Sequence, residues 1–175
     1  MRKINSVLFK TVFLLLALCI VTTTAMADDD DDDFYVKPSI TAEQAVSAVK
    51  DTLPKLTAGK SFVKRGEHGK KKLEVPLVLD GRIVSKIKLD PASGEVLTRG
   101  QRVPVRNVTV SQELTTKIVR QTIPKLEVAS VRLGEHGEWK VDLTLNKAVV
   151  ACVSVRGIDG YILPDRETTR DAAIY

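Results

Sequence analysis

The chain has 175 residues, a formal net charge of +5, 43% hydrophobic residues, 5% aromatic residues, two cysteines and two histidines. That apolar fraction can fill a core, which excludes a wholly disordered chain. Sparse aromatics argue against a nucleic-acid stacking platform. With only two histidines, no Ser/His/Asp or Cys/His constellation emerges, and no enzyme is expected.

In chain order, Arg2, Lys3 and Lys10 precede an apolar run from Val12 to Val21, and Ala25-Met26-Ala27 has the small-x-small form of a cleavage site. Residues 1–27 therefore read as a cleaved signal peptide. Its apolar run is about half of the roughly 20 residues that span a bilayer. The expected product is exported, periplasmic or secreted, without a stable membrane span after cleavage. Cys152 is then the one remaining cysteine, a packed thiol within the predicted strand Val149–Val155.

Asp28 to Asp33 are six consecutive acids inside a segment, 28–38, predicted to be disordered. Such a run serves as a solvated spacer, with weak calcium binding or a mask over basic surface as the sharper readings. Beyond it the chain is basic.

Ile40-Thr41-Ala42-Glu43-Gln44 has the capping-box form, and Ala45, Ala48, Val49 and Leu53 follow at helical spacing up to Pro54. A strand is predicted around Lys60–Arg65, then the turn Gly66-Glu67-His68-Gly69. Leu73, Val75, Leu77 and Leu79 alternate on a second strand, Asp80-Gly81 marks a tight hairpin, and Ile83, Ser85, Ile87 and Leu89 form the inward face of a third. Pro91 to Gly94 turns the chain into the short strand Glu95–Leu97.

After a linker at 101–107 the series repeats. Ser111 caps a helix bearing Leu114, Ile118, Val119 and Ile123, and Thr122-Ile123-Pro124-Lys125-Leu126 echoes Thr52-Leu53-Pro54-Lys55-Leu56. A strand around Val128–Leu133 leads to Gly134-Glu135-His136-Gly137. Trp139, Val141, Leu143 and Leu145 precede the turn Asn146-Lys147, and Val149, Ala151, Val153 and Val155 follow it. Val84, Lys86 and Lys88 are placed outward, as are Val150, Cys152 and Ser154. The loss of both lysines in the second copy predicts that its face is covered, by the other half in the first instance or by a partner protein. The expected fold is α+β: two tandem helix-plus-antiparallel-sheet (αβββ) repeats at 39–100 and 108–167, helices packed on antiparallel sheet, with a polar tail at 168–175.

The ordered series Ile40-Thr41-Ala42-Glu43-Gln44-Ala45, Leu79-Asp80-Gly81 and Leu89-Asp90-Pro91-Ala92-Ser93-Gly94-Glu95-Val96-Leu97 resembles the PepSY domain, over about residues 39–100. The second segment looks like a diverged unit of the same kind, with Asn-Lys in place of Asp-Gly. The resemblance implies an exported, non-enzymatic binding protein whose partner is a protein, a peptidase that it restrains being the leading class. It implies no catalytic residues and no cofactor.

The candidate partner-binding residues are Lys70, Lys71 and Lys72 on the first hairpin, with Lys86 and Lys88 on the outward face of a neighbouring strand. Nucleic acid is not expected as the partner. Glu67, His68, Glu135 and His136 could supply two Glu and two His to zinc, but each pair is accounted for by its turn, and no metal is expected. The alternative function is an envelope metal- or polyanion-binding protein using the Asp run, these loops or the lysine-rich hairpin.

Overall fold

The computed structural model describes residues 37–66 and 69–175. The signal-peptide and acidic-run readings, with Glu67 and His68, lie outside the described residues. Thr41 caps helix α1 (Ala42–Thr52) by accepting from Gln44 N, while the Gln44 side chain accepts from Thr41 N. That is the capping box read from the sequence. Leu53–Lys55 continue as one 3-10 turn, because Pro54 has no N–H with which to extend the α ladder. Ser111 caps helix α2 (Gln112–Thr122) by accepting from Leu114 N, a single bond because Leu114 has no polar side chain to return it, and Ile123–Lys125 is the matching 3-10 turn.

Strands β1 (Thr57–Ala58) and β2 (Phe62–Arg65) both pair with β3 (Lys71–Leu79), whose other edge pairs with β4 (Arg82–Leu89). The second sheet runs β5 (Glu127–Leu133), β6 (Trp139–Leu145), β7 (Ala148–Val155). All pairings are antiparallel, and the fold is α+β with helices packed on the sheets. Both hairpin turns carry two positive φ angles, Asp80 48° with Gly81 77° and Asn146 50° with Lys147 67°. These are type I′ turns, whose twist suits the flanking strands. Lys147 holds a conformation that costs a side-chain-bearing residue roughly 1 kcal/mol. Lys147→Gly is therefore expected to stabilise the protein by about 0.5–1 kcal/mol, read as a rise in the urea midpoint at unchanged slope.

Two expectations are corrected. Strict alternation places Val84 and Val150 outward, but register shifts between Leu77 and Val78, and between Leu143 and Thr144, make each valine the extra residue of a β-bulge. Both turn into the core, at 3% and 5% exposure. The polar tail expected at 168–175 is instead part of helix α3 (Arg166–Ile174), capped by Asp165, which accepts from Thr168 N at 2.9 Å. Its buried residues, Thr168 and Asp171, are polar. Hydrophobic periodicity cannot detect a helix docked by its polar side.

The helices do not cover the sheets that follow them in sequence. α1 packs against β5, β6 and β7, and α2 packs against β1 and β3. Their entry points are fastened across the molecule as well. Ser39 N and Ile40 N donate to the Gly157 carbonyl at 2.8 and 3.0 Å, and Trp139 Nε1 donates to the Ile40 carbonyl at 3.2 Å. On the opposite side Thr109 N and Val110 N donate to the Pro91 carbonyl at 2.9 and 3.4 Å. Ala45 and Val49 of α1 and Val119 of α2 thus join residues of both sheets in one core. Segments 39–100 and 108–167 lie together in one compact unit.

Candidate functional site

The site forms where the two halves meet. β4 and β7 lie side by side without a shared ladder, and Ser85 Oγ donates to the Cys152 carbonyl at 2.8 Å. Two tails bracket this seam. Val96 bridges to Leu89 and Leu97 N donates to the Lys88 carbonyl at 2.9 Å; the chain then crosses to β7, where Arg99 N donates to the Val149 carbonyl at 2.6 Å. Ile162 likewise bridges to Val155 and Leu163 N donates to the Ser154 carbonyl at 2.8 Å; that tail crosses to β4, where Asp165 N donates to the Ile83 carbonyl at 2.8 Å. Each tail contact of the first half has a counterpart in the second.

A cleft of about 730 Å³ opens along the seam, lined by Lys86 and Lys88 from β4, Cys152 and Ser154 from β7, Arg99 from the first tail and Arg166 from the start of α3. Its walls differ in charge chemistry. On the β4 side α3 packs across the outer face of the first sheet. Beneath it Glu74 is 1% exposed, with Lys86 Nζ 3.0 Å from its Oε2. That contact is a charge pair without hydrogen-bond alignment. Lys64 pairs with Asp171 and, at 3.4 Å, with Glu167. On the β7 side Asp142 accepts from Arg99 at 2.8 Å, Arg132 at 2.6 Å and Ser130 at 3.0 Å.

These contacts set the acid behaviour. The Lys64 hydrogen bond holds the Asp171 carboxyl below its usual range, against the effect of burial. Burial pushes Asp142 up, but hydrogen bonds from Ser130 and Cys152, with the charges of Arg132 and Arg99, outweigh it and leave the carboxyl lowered. A carboxyl lowered in the folded state binds its proton more readily when unfolded. Its stabilisation is complete above the unfolded value of about 3.9 and is lost as pH falls through the folded value. The protein is expected to lose stability on acidification below about pH 4, and Asp171→Asn to flatten that dependence; urea titrations at stepped pH check both.

Pairing is nearly complete around the cleft. Lys140 pairs with Glu138 at 3.0 Å, and Arg156 pairs with Asp159 while, like Arg82, stacking on the Tyr161 ring. Of the lining acids, Asp165 caps α3 and Glu167 faces Lys64. Lys88 and Arg166 are the lining lysine and arginine that have no carboxylate within ion-pair distance among the described residues. Lys88 is half-buried, and that burial pushes its ammonium down.

Of the residues singled out from sequence, Lys86 and Lys88 line the cleft, but Lys86 is engaged by Glu74. Lys70 and Lys72 are exposed at the hairpin, and Lys71 is half-buried, its N–H donating to the Val105 carbonyl at 2.8 Å. None of these three lines the cleft. His136 is exposed at its margin, beside exposed Glu135, and Gly137 holds φ 79° as the turn requires. Among the described residues no three potential metal ligands gather, and no helix is long and apolar enough to cross a membrane. The outer face of β7 is only partly covered: Val150 is buried, whereas Cys152 and Ser154 are half-exposed. Arg99, Arg166, Glu74 and Asp142 escaped sequence reasoning. Comparisons with family models, curated proteins and solved structures return no match.

Proposed function

We propose that this is an exported, non-enzymatic binding protein that holds a partner protein along the β4–β7 seam. The supporting observation is the pair of cations, Lys88 and Arg166, left without carboxylates in a cleft whose own acids are engaged. The resemblance of residues 39–100 to a PepSY unit supports a peptidase as the partner, restrained by occupation of its surface. Binding without chemistry also fits Cys152, whose thiol is pushed up by burial and by its hydrogen bond to Asp142, away from the reactive thiolate.

The test is steady-state hydrolysis by peptidases exported from the same source, with the purified protein added. Saturable inhibition, weakened by Lys88→Glu, is expected. Full activity of each peptidase, with no complex on size exclusion, would overturn the proposal. Exposed Lys70 and Lys72 beside exposed Arg65 favour polyanion binding as a second reading. Calorimetric titration with inorganic polyphosphate, calcium and zinc addresses it, and flat traces sink it.

A further inference from the structure

We infer that the cleft receives an extended acidic segment of the partner, with two carboxylates about four residues apart and an apolar side chain between them on the same face. The inference rests on the reading of this cleft as the partner's contact face. Its basis is the placement of the two unpaired cations. Lys88 lies toward the C-terminal end of β4, and Arg166 follows Asp165, which is hydrogen-bonded to Ile83 near the other end of that strand. Val84 is the bulged residue between them, so Ile83 and Lys88 face Val78 and Glu74, four strand steps apart, and at about 3.3 Å each roughly 13 Å separates the anchor points. A free phosphate or a lone carboxylate is too short to reach both. Carboxylates at positions i and i+4 of an extended peptide are about 13 Å apart on one face, which matches that separation.

The space between the anchors argues against a continuous polyanion. Lys86, Arg99 and Lys140 are already neutralised by Glu74, Asp142 and Glu138, while Glu138, Asp165 and Glu167 themselves line the cleft. A chain carrying charge at every step would meet those acids, and like charges brought close are disfavoured. Leu163, Pro164 and the 55% exposed Ile158 give the cleft its apolar lining instead. A carboxylate docked on Lys88 would restore the charged environment that burial removes. Binding should therefore be strongest while Lys88 is protonated and should weaken as pH rises past the lowered Lys88 value.

The experiment is calorimetry on the full chain with capped extended peptides bearing Glu at i and i+4 and Leu at i+2, on the same face. The controls are the Gln counterpart and inorganic polyphosphate. The acidic peptide is expected to bind at least tenfold more tightly than the Gln peptide. Lys88→Gln and Arg166→Gln should each weaken it about three- to tenfold, and added salt should weaken it further. Equal affinity for the acidic and Gln peptides overturns the inference, as does polyphosphate binding that outcompetes the acidic peptide and responds to both substitutions. Peptidase inhibition that persists without acidic-peptide binding rejects this inference alone. Loss of both rejects the underlying reading of the cleft.

Discussion

Gly157→Ala is expected to destabilise the protein by roughly 3 kcal/mol or more, at the severe end for single substitutions. A Cβ at this position would lie 2.0 Å from the Gly137 carbonyl oxygen and 2.9 Å from Pro38 Cβ. The nearer atom is backbone, so no rotamer change relieves the overlap. Either the loop at Gly134–Gly137 or the segment entering α1 must move. The second route breaks the hydrogen bonds of Ser39 and Ile40 to the Gly157 carbonyl and loosens the helix that covers β5, β6 and β7. Differential scanning calorimetry should show a fall in Tm of about 6–12 °C. Gly81→Ala is the comparison: it has a strained φ of 77° but no atom within 4 Å of the added carbon, and it should cost only about 1 kcal/mol.

Lys86→Met is expected to be comparably severe, at about 3 kcal/mol, because it leaves Glu74 buried without its charge partner. Removing one member of a buried pair costs more than the pair contributes, since the remaining charge keeps its desolvation penalty. The double variant Lys86→Met with Glu74→Gln should recover at least half of the loss, because the stranded charge is gone. Chemical denaturation of the single and double variants gives the coupling. Additive losses would show that Lys86 acts through its packed stem instead of through Glu74.

The local features of this fold were legible in the sequence, for local reasons. The Thr41 capping box, the Ser111 cap, the Asp80-Gly81 and Asn146-Lys147 turns and the inward face of β3 each depend on a few adjacent residues. The exchange of helices was not legible. Ala45 and Val49 announce that α1 is covered, but the inner faces Leu73, Val75, Leu77, Leu79 and Trp139, Val141, Leu143, Leu145 are both apolar surfaces that could receive it. The bulges were hidden because valine at positions 84 and 150 suits either side of a strand.

At the site, period two set Lys86 and Lys88 on the outer face, and the structure agrees. The sequence did not show that this face is covered by a helix with a polar docking side, through Asp171 and Glu167. Glu74, between Leu73 and Val75, is for that reason among the most buried side chains present, which the alternation alone did not disclose. Cross-strand register held a usable signal, since Glu74 lies directly opposite Lys88 and diagonal to Lys86, which faces Pro76 two residues along.

Separating the halves tests the exchange of helices most directly. Residues 34–107 and 108–175 are produced as two polypeptides and studied alone and mixed, by circular dichroism and amide nuclear magnetic resonance. Each fragment carries a sheet whose helical cover belongs to the other, and a body of this size is marginal even when its core is complete. Alone, each should show poor amide dispersion and no cooperative melt, and an equimolar mixture should regain the spectrum of the intact chain. A fragment 34–107 that alone melts cooperatively with native-like dispersion would contradict the shared core.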